Sequence, residues 1–227
     1  MVNLHEFKYI KPTTPIFLWC SNDRIKKELF EMGSYFKTIG MKFTESSKVL
    51  SKPVNLCISA MLLAVAVLIR VFENNGMLVL NTNLIKIGIS TFPVVIVAIL
   101  YGPVAAGIVG GLTDILGYVI APVGGAYIPC FTINMILIGF FYGIALYKEN
   151  IKIPRLIIVE IIITVFVNII LGTIWFRLFY GTDIVTALTT RTIKGIVSLP
   201  ITVAVNYALY KAIAKIPEVK RIMNSKA

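Results

Sequence analysis

Six apolar stretches constrain this chain more than anything else in it. They cover residues 53–72, 84–100, 102–120, 129–147, 154–180 and 184–214. An α-helix rises about 1.5 Å per residue, so roughly 20 residues cross the hydrocarbon of a bilayer. Backbone groups in lipid must be satisfied within the segment, which makes each stretch a helix. The chain is 57% hydrophobic and only 15% charged, more apolar than a soluble core of 227 residues requires. The expected fold class is therefore all-α, a polytopic membrane protein with six transmembrane helices. Pro93 interrupts the second stretch, and only Tyr101-Gly102-Pro103 separates the second from the third, a tight turn at one membrane face. The last two stretches are long enough to tilt or protrude.

Charge placement sets the expected orientation. The net charge is +11, and nine of the 22 Lys and Arg residues precede Pro53, while five more lie from Lys211 onward. The connections 73–83, 121–128 and 181–183 contain neither Lys nor Arg. The asymmetry predicts that both termini are cytoplasmic and face an anionic membrane surface. Three regions follow: a basic leader at 1–52, a six-helix domain at 53–214 and a basic tail at 215–227. Within the leader, Ile25, Leu29, Met32 and Phe36 share one helical face, with Ser21, Asn22 or Asp23 as the cap. Such a basic amphipathic helix suits the inner membrane surface.

Several function classes lack their residues. Cys20, Cys57 and Cys130 have no CxxC spacing and form neither a disulfide framework nor a zinc site. The single histidine, His5, lies in the polar leader, and there is no GxxxxGK[ST] for ATP hydrolysis. No separate basic domain exists to carry nucleic acid. No metal, cofactor or catalytic constellation is expected.

Polar groups inside the apolar stretches point the other way, toward a solute. Charges in a membrane helix are costly and face a cavity or a partner. Here they are Arg70, Lys86, Asp114, Glu160, Arg177, Arg191 and Lys194. On the topology above, Arg70, Asp114, Arg177, Arg191 and Lys194 gather in the outer half, beside a Pro/Gly loop. For Arg70, Arg191 and Lys194 two readings stand: snorkelling to headgroups, or an electropositive cavity for an anionic solute. Asp114 either pairs with Arg191 or Lys194, or accepts two hydrogen bonds from an amidine-like ligand edge. Thr132 and Asn134 complete that site or cap the fourth helix. Tyr127, Phe131, Trp175 and Tyr180 offer aromatic walls, or act as interfacial anchors. Glu160 lies in the inner half, where it snorkels or pairs with Arg155.

Small residues are a separate signal. Ala60-x-x-x-Ala64 and Gly107-x-x-Gly110-Gly111 make narrow faces for close helix approach.

The run GPVAAGIVGGLTDILGYVIAPVGGAYIPCFTINMILIGFFYGIALYK, at 102–148, carries a resemblance. Its ordered motifs are Gly102-Pro103, Asp114-Ile115-Leu116-Gly117, the Pro/Gly loop 122–125, Pro129-Cys130-Phe131-Thr132 and the Gly139–Gly143 segment. With Leu171-Gly172-Thr173, Tyr180-Gly181, Arg191, Lys194 and Pro200 further on, the chain resembles the folate-specific substrate-binding (S) component of energy-coupling-factor transporters over about residues 35–214. Cys130 stands where that family's pattern has Gly. The resemblance implies a six-helix subunit that captures folate from outside. A separate transmembrane coupling subunit and two ATPase subunits would drive uptake, with the S component toppling in the membrane. It implies Arg70, Arg191 and Lys194 for the glutamate carboxylates, Asp114 with Thr132 and Asn134 for the pterin edge, and Tyr127, Phe131 and Trp175 for flat rings. Ala60 and Ala64 would form the face that docks on the coupling subunit. The connections 73–83 and 121–128, with Gly76, Gly124 and Gly125, would be lids.

Three alternatives stay open on the residues alone. They are an S component for another vitamin or a modified-base precursor, a stand-alone secondary transporter, and an intramembrane enzyme using Cys130 or Asp114.

Overall fold

A computed structural model describes residues 37–75, 88–122, 126–149, 153–181, 183–213 and 215. The chain divides into two units, 1–41 and 42–227. Of the first, residues 37–41 are described, and they are helical. The expected amphipathic helix from Ser21 to Phe36, the lid glycines Gly76, Gly124 and Gly125, Lys86 and the tail beyond 215 lie outside the described residues.

In the second unit, helical residues 42–50 form α1. There follow α2 (Pro53–Asn74), α3 (Thr91–Tyr101), α4 (Pro103–Ile120), α5 (Pro129–Leu146), α6 (Ile153–Ile162), a π-helical segment (Ile163–Leu171), α7 (Gly172–Tyr180) and α8 (Ile184–Ile213). Three of the starts follow from one rule. Pro53, Pro103 and Pro129 each occupy the first turn of their helix, where a missing N–H costs nothing. The same rule revises the second stretch. Pro93 does not interrupt a helix beginning near residue 84; it lies in the first turn of an 11-residue helix starting at Thr91. At about 1.5 Å per residue, α3 is about half the hydrocarbon thickness.

Five segments are long and apolar enough to cross a membrane: α2, α4, α5, the continuous Ile153–Phe179 run and α8. With the shorter apolar α3 they come close to the six transmembrane helices expected. The described residues contain no strand. The outside of this unit is an apolar surface including Val54, Met61, Val65, Leu68, Ile158, Phe166 and Ile196, all exposed. Water does not tolerate so continuous an apolar surface, and lipid does. The protein is a helical membrane protein.

The core is built around α3, which is buried along most of its length. Val94, Val97, Ala98 and Tyr101 pack with Ala105 and Val109 of α4, Ile138 and Tyr142 of α5, and Leu156, Val159 and Ile163 beyond. The α4–α5 seam depends on absent side chains. A Cβ at Gly110 would lie 2.7 Å from the Met135 carbonyl oxygen, and one at Gly139 would lie 2.6 Å from the Ala106 carbonyl carbon. Real Cβ atoms do not sit so close to backbone, so these helices touch where only Gly fits.

At the end where α3 passes to α4, Gly102 takes φ +89°, a conformation other residues resist. Gly102 offers α4 no capping side chain, and α1 supplies one. The Ser46 hydroxyl donates to the Tyr101 carbonyl (2.6 Å) and accepts from the Val104 and Ala105 N–H groups (3.1 and 3.3 Å). Nearby, Lys42 donates to the Ile144 carbonyl and to Glu149, both at 3.0 Å, and Arg155 meets Glu149 at 2.9 Å. Arg155 is thus the partner of Glu149 and not of Glu160, as the sequence had suggested.

Candidate ligand cavity

The opposite end of the bundle holds the polar residues. Arg70, near the end of α2, donates to Asp114 of α4 at 2.6 Å and lies 3.6 Å from Glu73, one turn along its own helix. Glu73 accepts from the Ser90 N–H and hydroxyl, both at 2.8 Å, so it holds the start of α3. Asn74 donates to the Gly117 and Ala121 carbonyls (3.3 and 3.0 Å), satisfying the open end of α4. The second oxygen of Asp114 accepts from the Thr132 hydroxyl at 2.8 Å, and Tyr127 reaches that hydroxyl at 2.5 Å. Arg70, Asp114, Thr132 and Tyr127 therefore form one continuous hydrogen-bonded chain across α2, α4 and α5. Asp114 meets Arg70, and not Arg191 or Lys194.

Local sequence makes this chain possible. Gly117 lies one turn after Asp114, and the Arg70 side chain crosses α4 there; any Cβ would collide with the arginine's methylenes. Thr132 comes three residues after Pro129, in the first turn of α5, where its hydroxyl can point back along α4.

A cavity of about 340 Å³ opens beside this network, in the range of small-molecule sites. Its polar lining includes Arg70, Glu73, Glu160, Asn168, Arg191 and Lys194, and Met135, Ile138 and Ile163 supply apolar wall. Arg191 is held in two ways. Its guanidinium donates to the Asn168 carbonyl at 2.9 Å and lies over the Phe176 ring, 4.3 Å from its centroid. Asn168 belongs to the π-helical segment, whose changed backbone pairing is a common companion of functional sites. Gly172 provides the slot, since a Cβ there would fall on the guanidinium.

The nine residues expected at the site divide into connected groups. Arg70, Arg191 and Lys194 line the cavity. Asp114, Thr132 and Tyr127 stand behind Arg70. Asn134 does not join them; it accepts from the Trp175 indole N–H at 3.1 Å, tying α5 to α7. Phe131 packs edge-on against Phe176, the ring beneath Arg191, with centroids 6.0 Å apart. Arg177 is exposed, and so are Ala60 and Ala64 on α2. Among the described residues no cluster of three metal-ligating side chains occurs.

Sequence reasoning missed Glu73, Tyr142 and Asn206. Glu160 is buried, and its Oε1 accepts from the Tyr142 hydroxyl (2.5 Å) and the Asn206 amide (2.6 Å). Tyr142 stood in view within the Gly139–Gly143 segment, and Asn206 was a lone amide in an apolar stretch. Their meeting spans α5, α6 and α8, beyond what spacing can reveal.

A polar, cation-bearing cavity inside a bundle of membrane helices defines a solute-binding membrane protein. The sequence profile described as "ECF transporter, substrate-specific component" matches residues 54–210. The chain belongs to that family. It is similar to the "Folate transporter FolT" of Clostridium novyi (strain NT), with 32% identity over 143 residues, 63% of this chain and 83% of the relative. The "Folate transporter FolT" of Leuconostoc mesenteroides subsp. mesenteroides is 25% identical over 139 residues, 58% of this chain and 74% of the relative. Among solved structures, "Crystal structure of FolT bound with folic acid" superposes with a TM-score of 0.59 at 31% identity, covering 66% of this chain and 91% of that one.

Proposed function

We propose that this chain is the folate-capturing subunit of an ATP-driven importer in the cell membrane. The observation that carries the reading is the union, in one cavity, of Arg70, Arg191 and Lys194. Three cations in a polar cavity with an apolar strip at Met135, Ile138 and Ile163 suit an elongated, flat molecule with carboxylates at one end. The names and the folic-acid complex of the relatives support the choice of folate.

In this reading the cavity end faces outside and both termini are cytoplasmic, with the 1–52 leader and the 215–227 tail on the inner side. Arg191 and Lys194 take the glutamate carboxylates. Arg70, oriented by Asp114, Thr132 and Tyr127, contributes a third positive group. Phe131, Trp175 and Asn134 shape the α5–α7 wall. The chain binds and does not catalyse. A transmembrane coupling subunit, docked on the exposed Ala60 and Ala64 face, and two ATPase subunits supply the energy; family membership supports such partners.

Isothermal titration of the purified full chain with folic acid and a panel of other vitamins tests the reading. Folic acid should bind tightly and in preference to the rest. Binding of a different vitamin with none of folic acid would overturn the substrate and leave the family standing.

A further inference from the structure

We infer that Glu160, set in place by Tyr142 and Asn206, is the group that reads the hydrogen-bond donor edge of the ligand's flat ring. The inference rests on the folate reading above and names a residue for it. Three acids lie in or against the cavity. Asp114 has both oxygens engaged, by Arg70 and by Thr132. Glu73 has both engaged by Ser90, with Arg70 near one of them. Glu160 differs. Its Oε1 takes two donors, while its Oε2 has no partner among the described residues.

Among the described residues no cation forms an ion pair with Glu160 either. Arg155, on the same helix, is held by Glu149. A carboxylate in low dielectric without a counter-charge requires donors, and two on one oxygen leave the other unsatisfied. The neighbouring amide adds to the deficit. Asn206 must turn its NH2 to Glu160, and its own Oδ1 is then buried with no partner. Around Glu160, two acceptor oxygens, its own Oε2 and the Asn206 Oδ1, thus lack a donor among the described residues.

A planar ring with adjacent N–H groups has the complementary chemistry. A 2-amino-4-oxo pyrimidine edge presents an amino group and a ring N–H side by side, matched to a carboxylate. Met135, Ile138 and Ile163 give the apolar walls such a ring needs. The cations stand at a useful distance. Asn168, whose carbonyl holds Arg191, follows Glu160 by eight residues, on the order of 10 Å along the helix axis. A molecule with a donor edge at one end and carboxylates at the other fits this polarity. Asp114, already satisfied, then acts on the ligand through Arg70.

The test uses the full chain in detergent and two probes, folic acid and its 2-deamino analogue. Wild-type protein should bind the analogue roughly tenfold more weakly than folic acid, the scale of one charge-assisted hydrogen bond. Glu160→Gln should bind folic acid about as weakly as wild type binds the analogue, and should bind the analogue as wild type does. Glu160→Asp, which keeps the charge and withdraws it by one methylene, should show the same selective loss and serves if the glutamine variant does not fold. Variants that bind folic acid like wild type, or lose both probes by one factor, overturn the inference alone. A wild-type protein that ignores folic acid and binds another vitamin overturns the folate reading itself.

Discussion

Arg70 of α2 and Asp114 of α4, 44 positions apart, meet at 2.6 Å beside the cavity. Each makes the other tolerable. An arginine near the end of a membrane helix and an acid within one are both costly alone, and together they tie two helices and leave the arginine lining the cavity.

Breaking this pair by one partner should therefore cost more than replacing both. Asp114→Leu alone should destabilise the ligand-free protein by about 3 kcal/mol, and Arg70→Met alone by a comparable amount. The double variant should recover a large part of that loss. Thermal unfolding in detergent reads the comparison, and strictly additive losses would remove the pair from the stability of the fold.

The slot at Gly172 predicts a binding defect without a folding defect. A Cβ there falls on the Arg191 guanidinium, 2.8 Å from its central carbon, and the far end of a flexible side chain can yield cheaply. Gly172→Ala should keep its melting temperature and lose roughly tenfold in folic acid affinity by titration. In an Arg191→Ala background the same change should add nothing. A further loss there would mean that Gly172 acts by another route.

Removal of Arg191 itself should discriminate between parts of the ligand. Arg191→Ala should weaken folic acid more than it weakens a pterin lacking the glutamate. Equal losses on the two probes would take Arg191 away from the carboxylates.

At the opposite end, Glu149 gives a pH dependence. Burial pushes its carboxyl up, but hydrogen bonds and charge from Lys42 and then Arg155 outweigh this and hold it below its ordinary value of 4.5. A depressed native value means stability that is present above pH 4.5 and lost as pH falls through the native value. The group is partly exposed, so the effect is small. Wild-type melting temperature should fall more steeply than that of Glu149→Gln as pH drops below 4.5. Parallel curves for the two proteins would show that the contact contributes nothing.

Docking can be separated from capture. Ala60→Trp or Ala64→Trp should abolish folate uptake in proteoliposomes containing the coupling and ATPase subunits while leaving folic acid affinity intact. Unchanged uptake would remove this face of α2 from the docking surface.

The helical, membrane-spanning character and the approximate number of helices were legible because apolar length is a local signal. Pro53, Pro103 and Pro129 mark helix starts at the observed places. Pro93 misled only in its role: a proline in the first turn and a proline that interrupts look alike until the helix start is known. The π-helical segment was not legible, since Ile163–Leu171 reads as ordinary apolar helix. The site was legible as a composition and not as a set of pairs. Arg70, Asp114, Arg191 and Lys194 could be named because charge in lipid is conspicuous. Which cation Asp114 meets depends on how α2 and α4 are rotated against each other, and spacing within one helix carries no information on that. Glu160 was visible for the same reason as the others, but its partners arrive from α5 and α8.

The glycine seam between α4 and α5 has a mechanical consequence. Backbones in direct contact at Gly110 and Gly139 cannot slide past one another without atomic overlap, and α3 is packed into the same block. The other flank is looser: among the described side chains of α7 only Thr173 is buried, and the 30-residue α8 has few buried residues. A change in the shape of the cavity is then taken up more cheaply by α7 and α8, while α3, α4 and α5 act as a stiff frame.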